Sequence, residues 1–306
     1  MDVSIIIVNY NNFAETIECV KSLQKLKNNV LYNIVIVDNC SPNTDFNNLL
    51  ELYNSNENIY VIKTDINKGY CAGNNYGIKY ALEQFNSRFI WILNPDTLIE
   101  ENCLTELFSF ANSHLDCGIL GAKLVHYPDT DTLQALGGCL FKPNKIGRLT
   151  PGKCFYAGEP SDCELPEFVT CDCIIGASMF IRKEVFKDCG FMNESFFLYS
   201  DETEFCLRVR NSTWKIYAIS KAVVYHAECA RVNPQRKLIY YYYNTRNELL
   251  MIKELFPKHV YFQILTYFIY ILFYLTKGKL KYAKYMFLGM TAFFKGETGK
   301  TTRVIK

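Results

Sequence analysis

Arg88-Phe89-Ile90-Trp91-Ile92-Leu93-Asn94-Pro95-Asp96 carries the strongest fold signal in the chain. Phe89 to Leu93 is an unbroken apolar run of aromatic and β-branched types, the pattern of a strand buried on both faces of a parallel sheet. Pro95 has no N–H to give to a ladder, so the strand stops there. Asn94 and Asp96 then sit at the carboxyl end of a buried strand, where open α/β sheets bind ligands. A carboxylate in that place can hold a divalent cation, and such a cation bridges substrate phosphates. The plainer alternative is a Pro-Asp turn followed by Thr97 as a helix cap.

The flanking sequence repeats the pattern. Val3 to Val8 and Ile34 to Val37 are β-branched runs that end in Asn9-Tyr10-Asn11-Asn12 and Asp38-Asn39-Cys40-Ser41-Pro42. Between them Ile17, Val20, Leu23 and Leu26 recur at helical spacing, and a second helix carries Phe46, Leu49, Leu50 and Tyr53 ahead of a strand at Ile59 to Ile62. Alternating strands and helices make βαβ units and a parallel sheet. Asx-rich loops are also ordinary turns, and one such loop alone proves nothing. Asn67-Lys-Gly-Tyr-Cys-Ala-Gly-Asn-Asn-Tyr-Gly77 is neither a dinucleotide fingerprint nor a Walker loop. Gly69 suits a tight turn. Gly73 and Gly77 share one helical face and admit a close backbone. Asn74 and Asn75 are expected in the first turn of that helix, whose N-terminus favours anions.

Leu104, Leu107, Phe108 and Ala111 mark a helix, and Gly118 to Val125 a strand. Residues 126–168 are punctuated by proline and glycine, an irregular excursion with one hairpin that suits a lid or acceptor wall. Phe168 to Arg182 reads as a bent strand pair around Gly176. Asp201, Glu202 and Glu204 open a helix. Asp201 with Glu204 resembles a capping box, which leaves Glu202 free to act as a base. Trp214 to Ile219 and Ala222 to Tyr225 are the last two strands. They end at His226, a residue type more often structural than ligating.

Bulk composition narrows the classes. With 49% hydrophobic and 21% charged residues the chain builds its own core, and a net charge of +2 offers nothing to nucleic acid. The 13 cysteines are odd in number and scattered, which fits reduced thiols in a cytosolic protein. Cys154, Cys163, Cys171 and Cys173 lack paired CxxC spacing, so a zinc site is not expected. The apolar stretch Ile5 to Val8 is too short for a signal peptide. Val260 to Thr276 carries no charge and stops just short of a spanning length. Lys277, Lys279, Lys281 and Lys284 follow, then a second apolar, aromatic stretch from Tyr285 to Phe294. That combination fits helices lying on an anionic membrane surface, with a buried helical pair or a true span as alternatives.

In order and spacing these segments resemble family 2 glycosyltransferases of the GT-A, nucleotide-sugar-binding type. More narrowly they resemble the rhamnosyltransferase-like branch of bacterial polysaccharide biosynthesis. The likeness rests on Ser4-Ile-Ile-Ile-Val-Asn-Tyr-Asn11, Val35-Ile-Val-Asp-Asn39, the Asn67–Gly77 segment, Leu93-Asn-Pro-Asp96 and Gly176-Ala177. It continues through Phe196-Phe-Leu-Tyr-Ser-Asp-Glu-Thr-Glu204, Val224-Tyr-His226 and Thr245-Arg-Asn247. It implies a Rossmann-like, mostly parallel sheet with flanking helices. Residues 1–230 would form the catalytic domain, 1–125 as the nucleotide-sugar half and 126–230 as the acceptor half. Residues 231–306 would add a helical, membrane-associating extension.

The resemblance implies an inverting transferase. Asp38 would bond the nucleobase or ribose, Asn9, Tyr10 and Asn11 would wall the base, and Asn67 and Asn74 would hold the nucleotide. Asp96 matches the last acid of the family's Asp-x-Asp motif and would carry Mg²⁺ or Mn²⁺ on the diphosphate. Asn94 replaces the first acid, and His226 would complete the metal site. Glu202 aligns with the catalytic aspartate, with Asp201 as the other candidate. Asp172, Gly176 and Ala177 would face the acceptor. Asp38, Asp96 and Glu202 should then converge on one cleft. L-Rhamnose from dTDP-rhamnose is the first donor expected, with UDP-galactose, UDP-glucose or UDP-N-acetylglucosamine behind it. The acceptor would be a glycan or polyprenyl-pyrophosphate-linked sugar, and the enzyme would sit on the inner face of the bacterial plasma membrane. A nucleotidyltransferase is disfavoured because no Gly-rich basic loop follows the first strand. A non-catalytic nucleotide-sugar-binding or scaffold protein is the rival of another class.

Overall fold

The computed structural model describes residues 1–27, 29–143, 148–227 and 234–302. The first half alternates as the apolar runs require: β1 (Val3–Asn9), α1 (Phe13–Leu23), β2 (Tyr32–Asp38), α2 (Asp45–Tyr53), β3 (Ile59–Lys63), α3 (Tyr70–Phe85) and β4 (Phe89–Leu93). A short β5 (Thr97–Ile99), α4 (Cys103–Ser113) and β6 (Cys117–His126) follow. The irregular stretch holds β7 (Leu133–Leu136), β8 (Gly138–Cys139) and the expected hairpin, β9 (Phe141–Pro143) against β10 (Leu149–Pro151). Then come β11 (Phe168–Cys171), β12 (Cys173–Ile174), β13 (Ser178–Arg182), α5 (Lys183–Cys189), α6 (Asp201–Arg210) and β14 (Lys215–His226). Three helices close the described chain: α7 (Pro234–Leu255), α8 (Val260–Thr276) and α9 (Leu280–Phe294).

The main sheet runs β11-β14-β6-β13-β4-β1-β2-β3, with β5 added beside β14 and β7 beside β6. β1, β2, β3 and β4 are mutually parallel, whereas β13 runs antiparallel between β4 and β6. Register aligns Asn9 with Asp38, Ile7 with Leu93, and Leu93 with Ser178. The carboxyl ends of β1, β2 and β4 and the residues leading into β13 therefore share one edge. Ile5, Ile7, Trp91 and Leu104 fill one face of the sheet, and Ile6, Ile92, Ile78 and Phe205 the other. A Cβ on Gly77 would lie 2.7 Å from both Ile6 Cγ2 and Val37 Cγ2, so the absent side chain is what lets α3 reach the sheet.

Several expectations give way. Thr97 caps no helix; it opens β5, which pairs antiparallel with β14 and sets Thr97 against His226. The two last strands are one, Lys215–His226, with a register shift between Ala218 and Val223. α3 begins at Tyr70, so Asn74 and Asn75 lie in its second turn. The capping box does not form. Ser200 is the N-cap of α6 and no side chain caps the helix, while Glu204 pairs with Arg208 one turn on. The boundary expected at 230/231 lies outside the described residues. The core cluster on the α3 side of the sheet continues through Leu249 and Met251 of α7, Tyr267 of α8 and Met286 of α9, so these helices pack on the sheet domain.

Candidate active site

β5 is the element that assembles the first half of the site. By pairing with the end of β14 it brings His226 Nε2 to 3.4 Å from Asp96 Oδ1, and the Ala227 N–H donates to Asp96 O at 3.0 Å. His226 is buried, and its Nδ1 lies 2.9 Å from Gln134 Oε1 on β7. That contact orients the ring so that Nε2 is the nitrogen facing Asp96. Gln134 was not singled out in the sequence, where nothing distinguishes it. Asp96 lines a cavity of about 270 Å³ with Glu15, Pro95, Tyr127 and Ala227. A larger cavity of about 660 Å³ between α1 and β5, past Lys21 and Ile99, is lined by neither Asp96 nor Glu202.

A carboxylate oxygen and an imidazole nitrogen 3.4 Å apart are fitting donor types for a divalent cation, with Mn²⁺ tolerating the nitrogen better than Mg²⁺. Among the described residues no three or more His, Cys, Asp or Glu are grouped to hold a metal. A cation held here would therefore take its remaining ligands from a diphosphate and water, as is usual where cations bind through substrate.

The ends of β1 and β2 form an interior knot. Asp38 is fully enclosed. It accepts from Asn9 Nδ2 at 2.9 Å and from the Ser41 N–H at 2.9 Å. Asn9 is equally enclosed, reaching Asp45 as well and accepting from Thr16. The same edge exposes Tyr10, and it holds Asn11 at a positive φ of 58° with its N–H on Ser41. Asn67 accepts from the Gly69 N–H at 2.9 Å and from Asn39 at 3.3 Å, tying the loops after β2 and β3 together. Asn74 is fully buried; its Nδ2 donates to Tyr70 O, and its Oδ1 has no partner. Asn75 braces Met192 and Glu194 from inside the core.

The second half of the site is built on α6. Asp201 is buried and faces the Cys71 thiol of α3, whereas Glu202 lines a cavity of about 370 Å³ with Arg148, Thr150, Tyr199, Tyr240 and Asn244. Burial, and then the Asp201 carboxylate with which it shares a hydrogen bond, hold Glu202 well above the usual carboxyl range. Glu202 packs on Gly176, where a Cβ would lie 3.5 Å from the Glu202 Cβ. The Tyr70 hydroxyl donates to Gly176 O at 2.9 Å, and burial keeps that phenol protonated. Ala177 O accepts from the Asn94 N–H at 3.1 Å, which links this half back to the end of β4. Asp172 lies apart. It accepts from the Phe141 N–H and pairs with Arg210, fixing the start of the hairpin. The three acids thus share one edge of the sheet without one cavity. Asp38 is enclosed, and Asp96 and Glu202 line separate hollows.

Arg148, at the foot of β10, pairs with buried Glu248 of α7, which also accepts from Tyr267 and Gln263 of α8. α8 is therefore bonded to the wall of the Glu202 cavity. Its other side exposes Tyr261, Leu265, Phe268, Ile269, Leu272 and Phe273. Pro257 to Thr276 is long and apolar enough to cross a membrane by length and composition, a test that core helices also pass.

A mostly parallel sheet with helices on both faces and polar strand ends gathered on one edge is the GT-A glycosyltransferase architecture. Residues 4–190 match Glycosyl transferase family 2, and the chain belongs to that family. It is 29% identical over 263 residues to the low-salt glycan biosynthesis hexosyltransferase Agl10 of Haloferax volcanii, covering 85% of this chain and 78% of that one. It is 24% identical over 259 residues to the dTDP-rhamnosyl transferase RfbF of Shigella flexneri, covering 81% and 79%. Among solved structures it resembles GalNAc-T7 with UDP, GalNAc and Mn²⁺, with a TM-score of 0.59 at 14% identity over 74% of this chain and 44% of that one. At that identity the likeness speaks for the fold alone.

Proposed function

We propose that this glycosyltransferase is an inverting hexosyltransferase that moves a sugar from a nucleoside diphosphate to a glycan hydroxyl in bacterial surface polysaccharide synthesis. The observation that carries it is Glu202, a half-buried carboxyl with a raised pKa, facing a hydroxyl- and aromatic-lined cavity large enough for a sugar ring. The diphosphate lies at the Asn94-Pro95-Asp96 end of β4. Asp96 and His226 would hold Mg²⁺ or Mn²⁺, which would supply positive charge to neutralise the leaving diphosphate. Tyr10 and Asn11 wall the base. Asp38, enclosed, acts by fixing Asn9 and the Ser41 turn around it.

Glu202 takes the proton from the acceptor hydroxyl, and that oxygen attacks the anomeric carbon from the face opposite the diphosphate. Inversion follows in one displacement, with no protein nucleophile. Residues 1–125 serve the donor and 126–230 the acceptor. The exposed face of α8 and the lysines Lys277, Lys279, Lys281 and Lys284 rest on the anionic inner leaflet of the plasma membrane. The Glu248 knot then holds the Glu202 cavity beside the lipid, which favours a polyprenyl-pyrophosphate-linked acceptor.

dTDP-rhamnose is the donor favoured by the likeness to RfbF, and a UDP-hexose is the second choice. Thermal shift with dTDP-rhamnose, UDP-glucose, UDP-galactose and UDP-N-acetylglucosamine, with and without Mn²⁺, tests this. One donor should stabilise the protein in a Mn²⁺-dependent way and release its nucleoside diphosphate on a polyprenyl-pyrophosphate-linked sugar. Stabilisation by none of the four, with or without metal, contradicts the proposal.

A further inference from the structure

Two consecutive residues other than glycine, Tyr199 at φ 67° and Ser200 at φ 63°, lie in the left-handed region immediately before Asp201 and Glu202. Side chains with a Cβ rarely adopt that backbone, and two in succession persist only where their surroundings hold them. The usual help is missing. Ser200 is the N-cap of α6, yet its hydroxyl caps no helical N–H and lies 3.5 Å from Asn244 Oδ1.

The support comes from α7. The single amide nitrogen of Asn247 donates to both Leu198 O at 2.8 Å and Tyr199 O at 2.9 Å. Its Oδ1 accepts from Arg246 Nε at 2.9 Å, which fixes which way the amide points; turned over, its oxygen would face two carbonyls. Arg246 is itself fully buried, donating to Gly299 O at 2.9 Å with its guanidinium over the Tyr243 ring. Asn247 is fully buried too and touches neither of the cavities that Asp96 and Glu202 line.

We infer that Asn247 is a positioning residue: its side-chain amide holds the left-handed turn at Tyr199 and Ser200 that aims Glu202 into its cavity. The inference rests on Glu202 being the base proposed above. Without the two bonds the turn relaxes toward ordinary backbone, α6 begins at another angle, and Glu202 leaves its place against Gly176.

Asn247→Asp in the full-length protein tests this, since the variant is nearly isosteric but sets a carboxylate against the two carbonyls. Asn247→Ala replaces it should the aspartate variant not fold. Amide exchange across Phe197 to Phe205 is expected to quicken at least tenfold, with exchange in β1 to β4 unchanged. With the donor found in the panel, kcat should fall about 100-fold, the scale of a 1 Å misplacement, and KM for the donor should stay within twofold. Ser200→Gly in the same background should restore at least tenfold of kcat, because glycine adopts the turn without a clamp. A role limited to general stability predicts no such rescue.

Glu202→Gln separates the two readings. If it is inactive while Asn247→Asp keeps kcat within twofold of wild type, the positioning inference falls and the base stands. If Glu202→Gln is active, both fall. Unchanged exchange across Phe197 to Phe205, or a loss that Ser200→Gly leaves unrelieved, also overturns the inference.

Discussion

Replacing Phe268 and Leu272 together by serine should detach the protein from anionic vesicles. The two side chains are 50% and 48% exposed on the outward face of α8. Full burial of such a side chain is worth about 1.5–3 kcal/mol, so burying the exposed half of each in lipid contributes about 1.5–3 kcal/mol for the pair. That corresponds to a roughly 10- to 150-fold weaker partition coefficient. Neither residue supports the fold from the inside, so the melting temperature should hold. Sedimentation with vesicles rich in phosphatidylglycerol measures the effect, and raising the salt should weaken the wild type as well by screening the lysines. Binding of the double variant within twofold of wild type would refute the reasoning.

Glu202→Gln should raise thermal stability near neutral pH. Burial and Asp201 raise this carboxyl. Its stabilising contribution is therefore complete below the ordinary carboxyl range and is lost as pH rises through the raised value. The gain of the glutamine variant should vanish in acid, and melting curves across pH that show the same difference throughout would contradict the assignment. Gly77→Ala should cost about 1–3 kcal/mol, because its Cβ would press on Ile6 and Val37 at 2.7 Å; an unshifted urea midpoint would show that α3 can move away freely. Asp96→Asn should remove the Mn²⁺-dependent part of donor stabilisation, and Gln134→Ala, which frees the His226 ring, should weaken it about 10-fold or more. A Mn²⁺ titration unaffected by both would take the metal away from this pair.

The parallel half of the sheet was legible because its strands are buried on both faces and read as unbroken β-branched runs. α8 was legible to the residue because lysine and glycine end its apolar run. β5 was not. Its three residues follow a proline turn and pair with β14, far along the chain, so no local pattern announces them, and with β5 went the reason Asp96 meets His226. Ser220-Lys221 reads as a break between strands but is a bulge within one, since partner strands carry the chain across it. The capping box failed because Ser200, not Asp201, is the N-cap of α6, in a turn whose Tyr199 carbonyl accepts from Asn247 48 positions away. Polar residues at strand ends were found as a group, yet sequence could not separate those that face outward from those spent on one another. Asp38 and Asn9 bond to each other, Asp172 secures a hairpin, and Asn75 braces a loop.

The most direct test of the account is transfer by Glu202→Gln, measured alongside its donor-induced thermal shift. Loss of transfer by at least about 100-fold, the usual contribution of a positioned base, with the donor shift intact is the predicted result. Transfer near the wild-type rate would contradict it.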